Sequence, residues 1–221
     1  MAKIAVITGR RGKGKTSLAY FLARSVDARG VAVFDPTQSF GIGAIATDRD
    51  SFDQALEGDV SPAVFQVDNV EFKESAVENA LQEFVSAIKH IRDIGVVIDE
   101  TSYVQSFNWC APALDDEIRV GRRRRHDLFL TQHRMADCNG IVLDLVTEFY
   151  FFQTKSPKSL DRIAEYCGEQ VAGLVSTLGE HSFCYYDVET GRFHVNDSPE
   201  SWRVQIAPIE VAAPRLSAAA D

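Results

Sequence analysis

Residues Gly9-Arg10-Arg11-Gly12-Lys13-Gly14-Lys15-Thr16 fit the pattern G-x-x-x-x-G-K-[ST], a spacing suited to holding phosphate. The glycines let the backbone fold around an anion with its N–H groups pointing inward. A helix starting just after the loop adds the positive end of its dipole. In that arrangement Lys15 reaches the β- and γ-phosphates, and Thr16 places its hydroxyl on Mg²⁺. Gly9, Arg10, Arg11, Gly12, Lys13, Gly14, Lys15, Thr16 and Ser17 are therefore the expected nucleotide-binding set. The competing reading is a glycine-rich turn with no ligand. Position argues against it, because the loop sits between an apolar strand-like run and a helix-like stretch.

A second acidic group is the natural companion of such a loop. Val96-Val97-Ile98-Asp99-Glu100 is an apolar run ending in two acids. Asp99 is expected to hold Mg²⁺ through a water, and Glu100 to polarise the attacking water as general base. Read alone, the two acids serve equally well as a cap on the following turn; the upstream phosphate loop favours hydrolysis. Thr131-Gln132 ends another apolar run, where Gln132 is placed to contact the γ-phosphate or the water. The alternative is an ordinary polar strand end. No [NT]-K-x-D guanine-reading motif occurs, so ATP is the expected nucleotide.

Arg122-Arg123-Arg124-Arg125 form the densest charge run. One of Arg122, Arg123 and Arg124 can act on a neighbouring subunit's γ-phosphate as an arginine finger. Alternatively, Arg124 and Arg125 can contact a phosphodiester backbone, giving salt-dependent binding without sequence preference. A solvated helix face is the third possibility. The stretch from Arg119 to Arg134 holds six arginines and one aspartate, a net +5, on a 221-residue chain whose total is −9. The acidic remainder excludes a protein that coats nucleic acid over its whole surface, but not one that grips it at this strip. His133 reads as a loop residue, Asp115-Asp116-Glu117 as a helix start, and Trp109 and Trp202 as packing or subunit contacts.

These groups need a scaffold. The sequence predicts strands at 3–8, 31–34, 63–67, 95–98, 128–131 and 148–152, and helices at 15–26, 74–93, 112–124 and 157–167. Leu18, Phe21 and Leu22 are expected on the core side of the first helix. Residues 35–62 read as an irregular excursion with one short helix. A hairpin is expected within about 182–196, turning at Glu189-Thr190-Gly191. Alternating strands and helices imply an α/β fold with a central, mostly parallel sheet flanked by helices. Residues 1–206 read as one domain and 207–221 as an Ala/Pro-rich tail. No apolar run reaches the ~18 residues of a membrane helix, and the start does not resemble a signal peptide. The four separated cysteines read as reduced thiols of a cytoplasmic protein.

Together the segments GRRGKGKT (9–16), VVIDE (96–100), LFLTQHR (128–134) and FYFFQTKSPKSLDRI (149–163) resemble the HerA/FtsK branch of RecA-like P-loop ATPases. The resemblance is to the small genome-packaging ATPases of membrane-containing viruses, over roughly residues 1–165. It implies a RecA-like P-loop NTPase fold in which the glutamine strand lies between the phosphate-loop and acid strands. It also implies a homo-oligomeric ring, a hexamer, that hydrolyses ATP at subunit interfaces to translocate double-stranded DNA. A virion or membrane vertex protein would be a further partner, in the host cytoplasm or on the virion. By position, Lys15 and Thr16 take phosphate and Mg²⁺, Asp99 the Mg²⁺, Glu100 the water and Gln132 the γ-phosphate. The family's Gln-Arg-Pro is Gln132-His133-Arg134 here, which leaves the role of Arg134 open. A related group, the zonular occludens toxin-like ATPases of filamentous phages, shares the loop and the Thr-Gln strand, which keeps virion assembly or secretion as an alternative. A non-motor, nucleotide-dependent switch is another.

Overall fold

The structure is a computed structural model of the chain and describes residues 2–26, 28–58, 61–67 and 74–197. In chain order the elements are β1 (Ile4–Thr8), α1 (Lys15–Ser25), β2 (Val31–Asp35), β3 (Ala44–Ala46), α2 (Arg49–Glu57), β4 (Ala63–Gln66), α3 (Glu74–Ile88), β5 (Gly95–Ile98), β6 (Gln105–Ser106) and β7 (Trp109–Cys110). They continue as α4 (Pro112–Arg124), β8 (Asp127–Gln132), α5 (Gly140–Leu145), β9 (Glu148–Phe152), α6 (Pro157–Cys167), α7 (Glu169–Thr177), β10 (Phe183–Asp187) and β11 (Phe193–Asn196).

Nine strands form one sheet in the order β11-β10-β9-β1-β8-β5-β2-β4-β3. The seven strands from β9 to β3 are parallel, and β10 and β11 add an antiparallel hairpin at the β9 edge. The expected placement of the glutamine strand holds: β8 pairs with β1 through Thr8 and Gln132, and with β5 through Ile98 and Leu130. Central strands are buried on both faces, which is why they read as unbroken apolar runs. Along β1, Ile4 and Val6 join the core on one face of the sheet while Ala5 and Ile7 join the other. The first core includes Phe34, Phe52, Phe65 and Phe84, with ring centroids 5.2–6.5 Å apart. Each such pair adds about 0.5–1.5 kcal/mol beyond its area burial.

The helices divide unevenly between the faces. Leu18, Ala19, Tyr20 and Ala23 of α1 pack into the second core, whereas α3, α4, α6 and α7 send residues such as Leu81, Leu114, Ile163 and Val175 into the first. Phe21 and Leu22, expected in the core of α1, are only half-buried. The helix lies close on the sheet through its small residues, Ala19 and Ala23, and these larger ones sit at the margin. The excursion over 35–62 contains α2 but also β3, whose three residues are too few for an alternating pattern to register. The helix expected to Asp93 ends at Ile88, and Asp93 adopts φ 60° before β5. Helices α5 and α7 carried no distinct signal in the sequence. Trp202 and the tail from 207 lie outside the described residues.

At the end of α4, Arg125 adopts a left-handed conformation (φ 61°) and stops the helix. Beneath this turn Glu117 is buried, one turn past the helix start at which the sequence placed it. His126 Nδ1 lies 2.6 Å from Glu117 Oε1 and His126 Nε2 lies 2.9 Å from the Ile91 carbonyl. Both ring nitrogens of His126 thus face an oxygen. Arg124 Nη1 donates to the second Glu117 oxygen at 3.2 Å. The cluster ties α4 to the start of β8.

Candidate functional site

Parallel strands place the ends of β1, β5 and β8 on one edge of the sheet, so the chain's three polar segments meet there without any long-range sequence signal. The loop between β1 and α1 turns on Gly9 (φ 146°), Gly12 (φ 78°) and Gly14 (φ 100°), conformations that side-chain-bearing residues rarely adopt. Gly9 carries a second constraint: a Cβ there would lie 2.5 Å from Phe152 Cβ on β9. Its N–H donates to the Gln132 carbonyl at 3.3 Å. Gly14 is the N-cap of α1.

The resulting cleft, about 700 Å³, is lined by Arg11, Gly12, Gly14, Lys15, Thr16 and Ser17 of the loop, and by Asp99 and Glu100. Of the expected nucleotide-binding set, Gly9, Arg10 and Lys13 do not line the cleft; the Arg10 carbonyl accepts from Lys15 Nζ at 3.3 Å. The Lys13 carbonyl accepts from His181 Nδ1 at 3.2 Å. Lys15 is buried, and that desolvation lowers its pKa against the opposing pull of Glu100 and Asp99. A phosphate in the cleft would add to the counter-charge that Glu100 and Asp99 offer this lysine.

Asp99 is buried among hydroxyls. Thr131 Oγ1 donates to Oδ1 at 2.7 Å, Thr16 Oγ1 lies 2.9 and 3.2 Å from the two oxygens, and Ser39 Oγ reaches Oδ2 at 3.2 Å. Burial pushes its carboxyl up to about 6, against the lowering effect of the Thr131 and Thr16 hydrogen bonds; nearby Asp35 and Glu100 add to the rise. Thr16 and Asp99 fit Mg²⁺, a hard cation held by oxygen ligands, with the other positions filled by water and substrate phosphate. Among the described residues no group of three or more His, Cys, Asp or Glu forms an all-protein metal cage.

Glu100 sits in a left-handed conformation (φ 48°, ψ 56°), an uncommon state for a non-glycine residue and one found at functional turns. Thr131 holds it: the Glu100 N–H donates to Thr131 Oγ1 at 2.8 Å while that hydroxyl donates to Asp99. The Glu100 carboxylate accepts from Ser102 Oγ at 2.6 Å and lies 3.0 Å from His133 Nε2. His133 Nδ1 is in turn 3.2 Å from Lys15 Nζ. Thus the residue read as an ordinary loop position stands in the cleft between the lysine and the glutamate.

Gln132 does not line the cleft. Its side chain is buried and Oε1 accepts from Thr101 Oγ1 at 2.6 Å, with Gln105 Nε2 donating to the same Thr101 oxygen at 2.9 Å. In this arrangement it braces the turn after Glu100. The loop following β2 was missed in the sequence: Thr37 and Ser39 line the cleft, and buried Asp35 fixes them by accepting from Thr37 and Ser39 and from the Phe40 N–H at 2.7 Å. Asp35 at the end of an apolar strand was the only available signal.

The arginine strip lies elsewhere. Arg122, Arg123, Arg124 and Arg125 precede the start of β8, while the cleft is at its end, six residues or about 20 Å along the strand. Arg124 is bound to Glu117, and Arg125 to Asp93 at 2.7 Å. Arg122 is half-buried and Arg123 exposed. None of the four reaches the cleft of its own chain. Arg134 pairs with Asp137 at 3.6 Å.

A parallel sheet with a glycine loop opening onto a helix, a lysine and threonine at the helix start, and an acid at the end of a nearby strand defines the P-loop nucleotide-binding fold. No family model matches the sequence, and no curated protein does. Solved structures do. The genome-packaging NTPase B204 of Sulfolobus turreted icosahedral virus 2, in complex with ATPγS, superposes with a TM-score of 0.70 at 22% identity, covering 88% of this chain and 96% of that one. B204 of Sulfolobus turreted icosahedral virus, a DNA-packaging ATPase, gives 0.64 at 21% over 88% and 96%. VirB4 of Thermoanaerobacter pseudethanolicus gives 0.57 at 12% over 91% of each chain. The fold is shared with these P-loop ATPases over nearly the whole described chain.

Proposed function

We propose that the chain is an ATP-hydrolysing motor that packages double-stranded DNA, acting as a homo-oligomeric ring, a hexamer, with Mg²⁺-ATP as fuel. The observation that carries this reading is the meeting of Lys15, Thr16, Asp99 and Glu100 in one cleft. Lys15 binds the γ-phosphate and offsets the charge that builds on it during transfer. Thr16 and Asp99 would hold Mg²⁺, which supplies further positive charge at the phosphates. Glu100 accepts the proton of the attacking water at its carboxylate. The likeness to B204 supports packaging as the work that hydrolysis drives. The distance of the arginines from their own cleft supports a role between subunits: Arg122 or Arg123 completes a neighbour's site, or the strip touches DNA phosphates.

Steady-state ATP hydrolysis at low salt, with and without linear double-stranded DNA, tests this. Hydrolysis stimulated by DNA, with stimulation fading as salt rises, is the expected result. Robust hydrolysis indifferent to DNA at every salt concentration would overturn the DNA motor and leave an ATPase of the virion-assembly or secretion kind.

A further inference from the structure

We propose that His133 is a positioning residue for hydrolysis: it orients Glu100 through its Nε2–H and competes with the γ-phosphate for Lys15 through Nδ1. The proposal rests on the reading of the cleft as a nucleotide hydrolase and adds a residue to it.

The proton inventory carries the argument. The Lys15 ammonium only donates, so at 3.2 Å His133 Nδ1 must be the acceptor. The ring proton of a neutral imidazole then belongs to Nε2, which donates to Glu100 Oε2 at 3.0 Å. With Ser102 Oγ donating to Oε1 at 2.6 Å, each carboxylate oxygen is held by one donor. The ring is thus fixed as one tautomer by two charged partners of opposite sign. The local field agrees in direction: partial burial, then the Lys15 charge and also Arg11 lower the His133 pKa, against Glu100 and a backbone hydrogen bond at Gly9.

Lys15 has three N–H donors, and two of them are directed to the Arg10 carbonyl and His133 Nδ1. A γ-phosphate that draws on more than one donor must take one of these. Yielding Lys15 leaves Glu100 as the charged hydrogen-bond partner of His133, so phosphate arrival is transmitted to the base through this ring. Glu100 is strained in backbone, and His133 sets its carboxylate plane from across the cleft together with Ser102 on its own turn.

The first test is ¹⁵N-histidine NMR of the full chain, the His133 signals being assigned by their loss in His133→Asn. The expected result is the Nε2–H tautomer, with Nδ1 shifting in Lys15→Met and Nε2 shifting in Glu100→Gln. An Nδ1–H tautomer, or ring signals unmoved by both substitutions, would overturn the proposal, and this reading does not depend on turnover. The second test is kinetic. His133→Ala should lower kcat about tenfold, a fraction of the 10²–10⁴ that a general base supplies, with KM for ATP unchanged or lower because Lys15 gains freedom. His133→Gln, which carries an N–H to nearly the same place, should recover most of kcat; His133→Asn, too short to reach Glu100, should not. Equal kcat in all three variants and wild type would also overturn the proposal. A wild type that hydrolyses no ATP would instead sink the hydrolase reading, while the NMR result would still decide whether the ring bridges Lys15 and Glu100.

Discussion

Replacing Asp99 by Asn should make the protein more stable and inactive at once. Asp99 is buried, and its carboxyl is raised from 3.8 to about 6 chiefly by desolvation. A folded-state value above the unfolded one means that the protonated form favours the fold. That contribution is complete below about pH 4 and is lost as pH rises through about 6. At pH 7 the difference of roughly two units corresponds to about 3 kcal/mol held against folding, at 1.36 kcal/mol per unit. Asn removes the charge and keeps most of the hydrogen bonds. Its oxygen can accept from Thr131 and Thr16, and its NH₂ can face Ser39 Oγ, whose own proton can turn to Asp35. Allowing about 1 kcal/mol for imperfect hydrogen bonding, Asp99→Asn should gain about 2 kcal/mol at pH 7–8, a Tm rise of about 4–8 °C for a chain of this size. The gain should vanish near pH 4. Thermal unfolding of wild type and variant at pH 4, 6 and 8, without nucleotide or magnesium, measures the difference directly, because other titrating groups cancel. Parallel Tm curves across that range would refute the argument that burial outweighs the hydroxyl hydrogen bonds to Asp99. Mg²⁺-dependent ATP hydrolysis should be lost in the variant under all conditions.

Glu100→Gln should retain ATP binding yet lose on the order of a hundredfold in turnover, as loss of a general base does; wild-type turnover would remove Glu100 from that role. Gly9→Ala should destabilise the fold by more than about 1 kcal/mol and weaken nucleotide binding, since both its φ of 146° and the nearby Phe152 oppose a Cβ. Urea unfolding and ATPγS titration check the two effects. Glu117→Ala leaves His126 and Arg124 without their buried carboxylate and should cost about 3–5 kcal/mol, read as a fall in the denaturation midpoint. If that variant unfolds like wild type, the cluster is not holding α4 to β8.

The phosphate loop, the acid pair and the strands that carry them are legible in the amino-acid sequence. Glycine spacing, one lysine and an apolar run ending in acids are local signals, each legible within about eight residues. Helices 112–124 and 157–167 were bounded correctly for a similar reason: Pro112 and Pro157 open them, and Gly168 follows the second. Tertiary structure decided everything that depends on which polar groups face each other. His133 is next to the glutamine in sequence, yet the end of β8 directs it to Lys15 and Glu100, while Gln132 turns inward to Thr101. Adjacent residues on a strand end point to opposite sides, and sequence alone does not say which side is the cleft. Asp35, Thr37 and Ser39 joined the site because β2 is parallel to β5, a pairing set by the packing of the sheet. The arginine run was obvious as charge. The parallel pairing of β1 with β8 puts the phosphate loop at the opposite end of that six-residue strand.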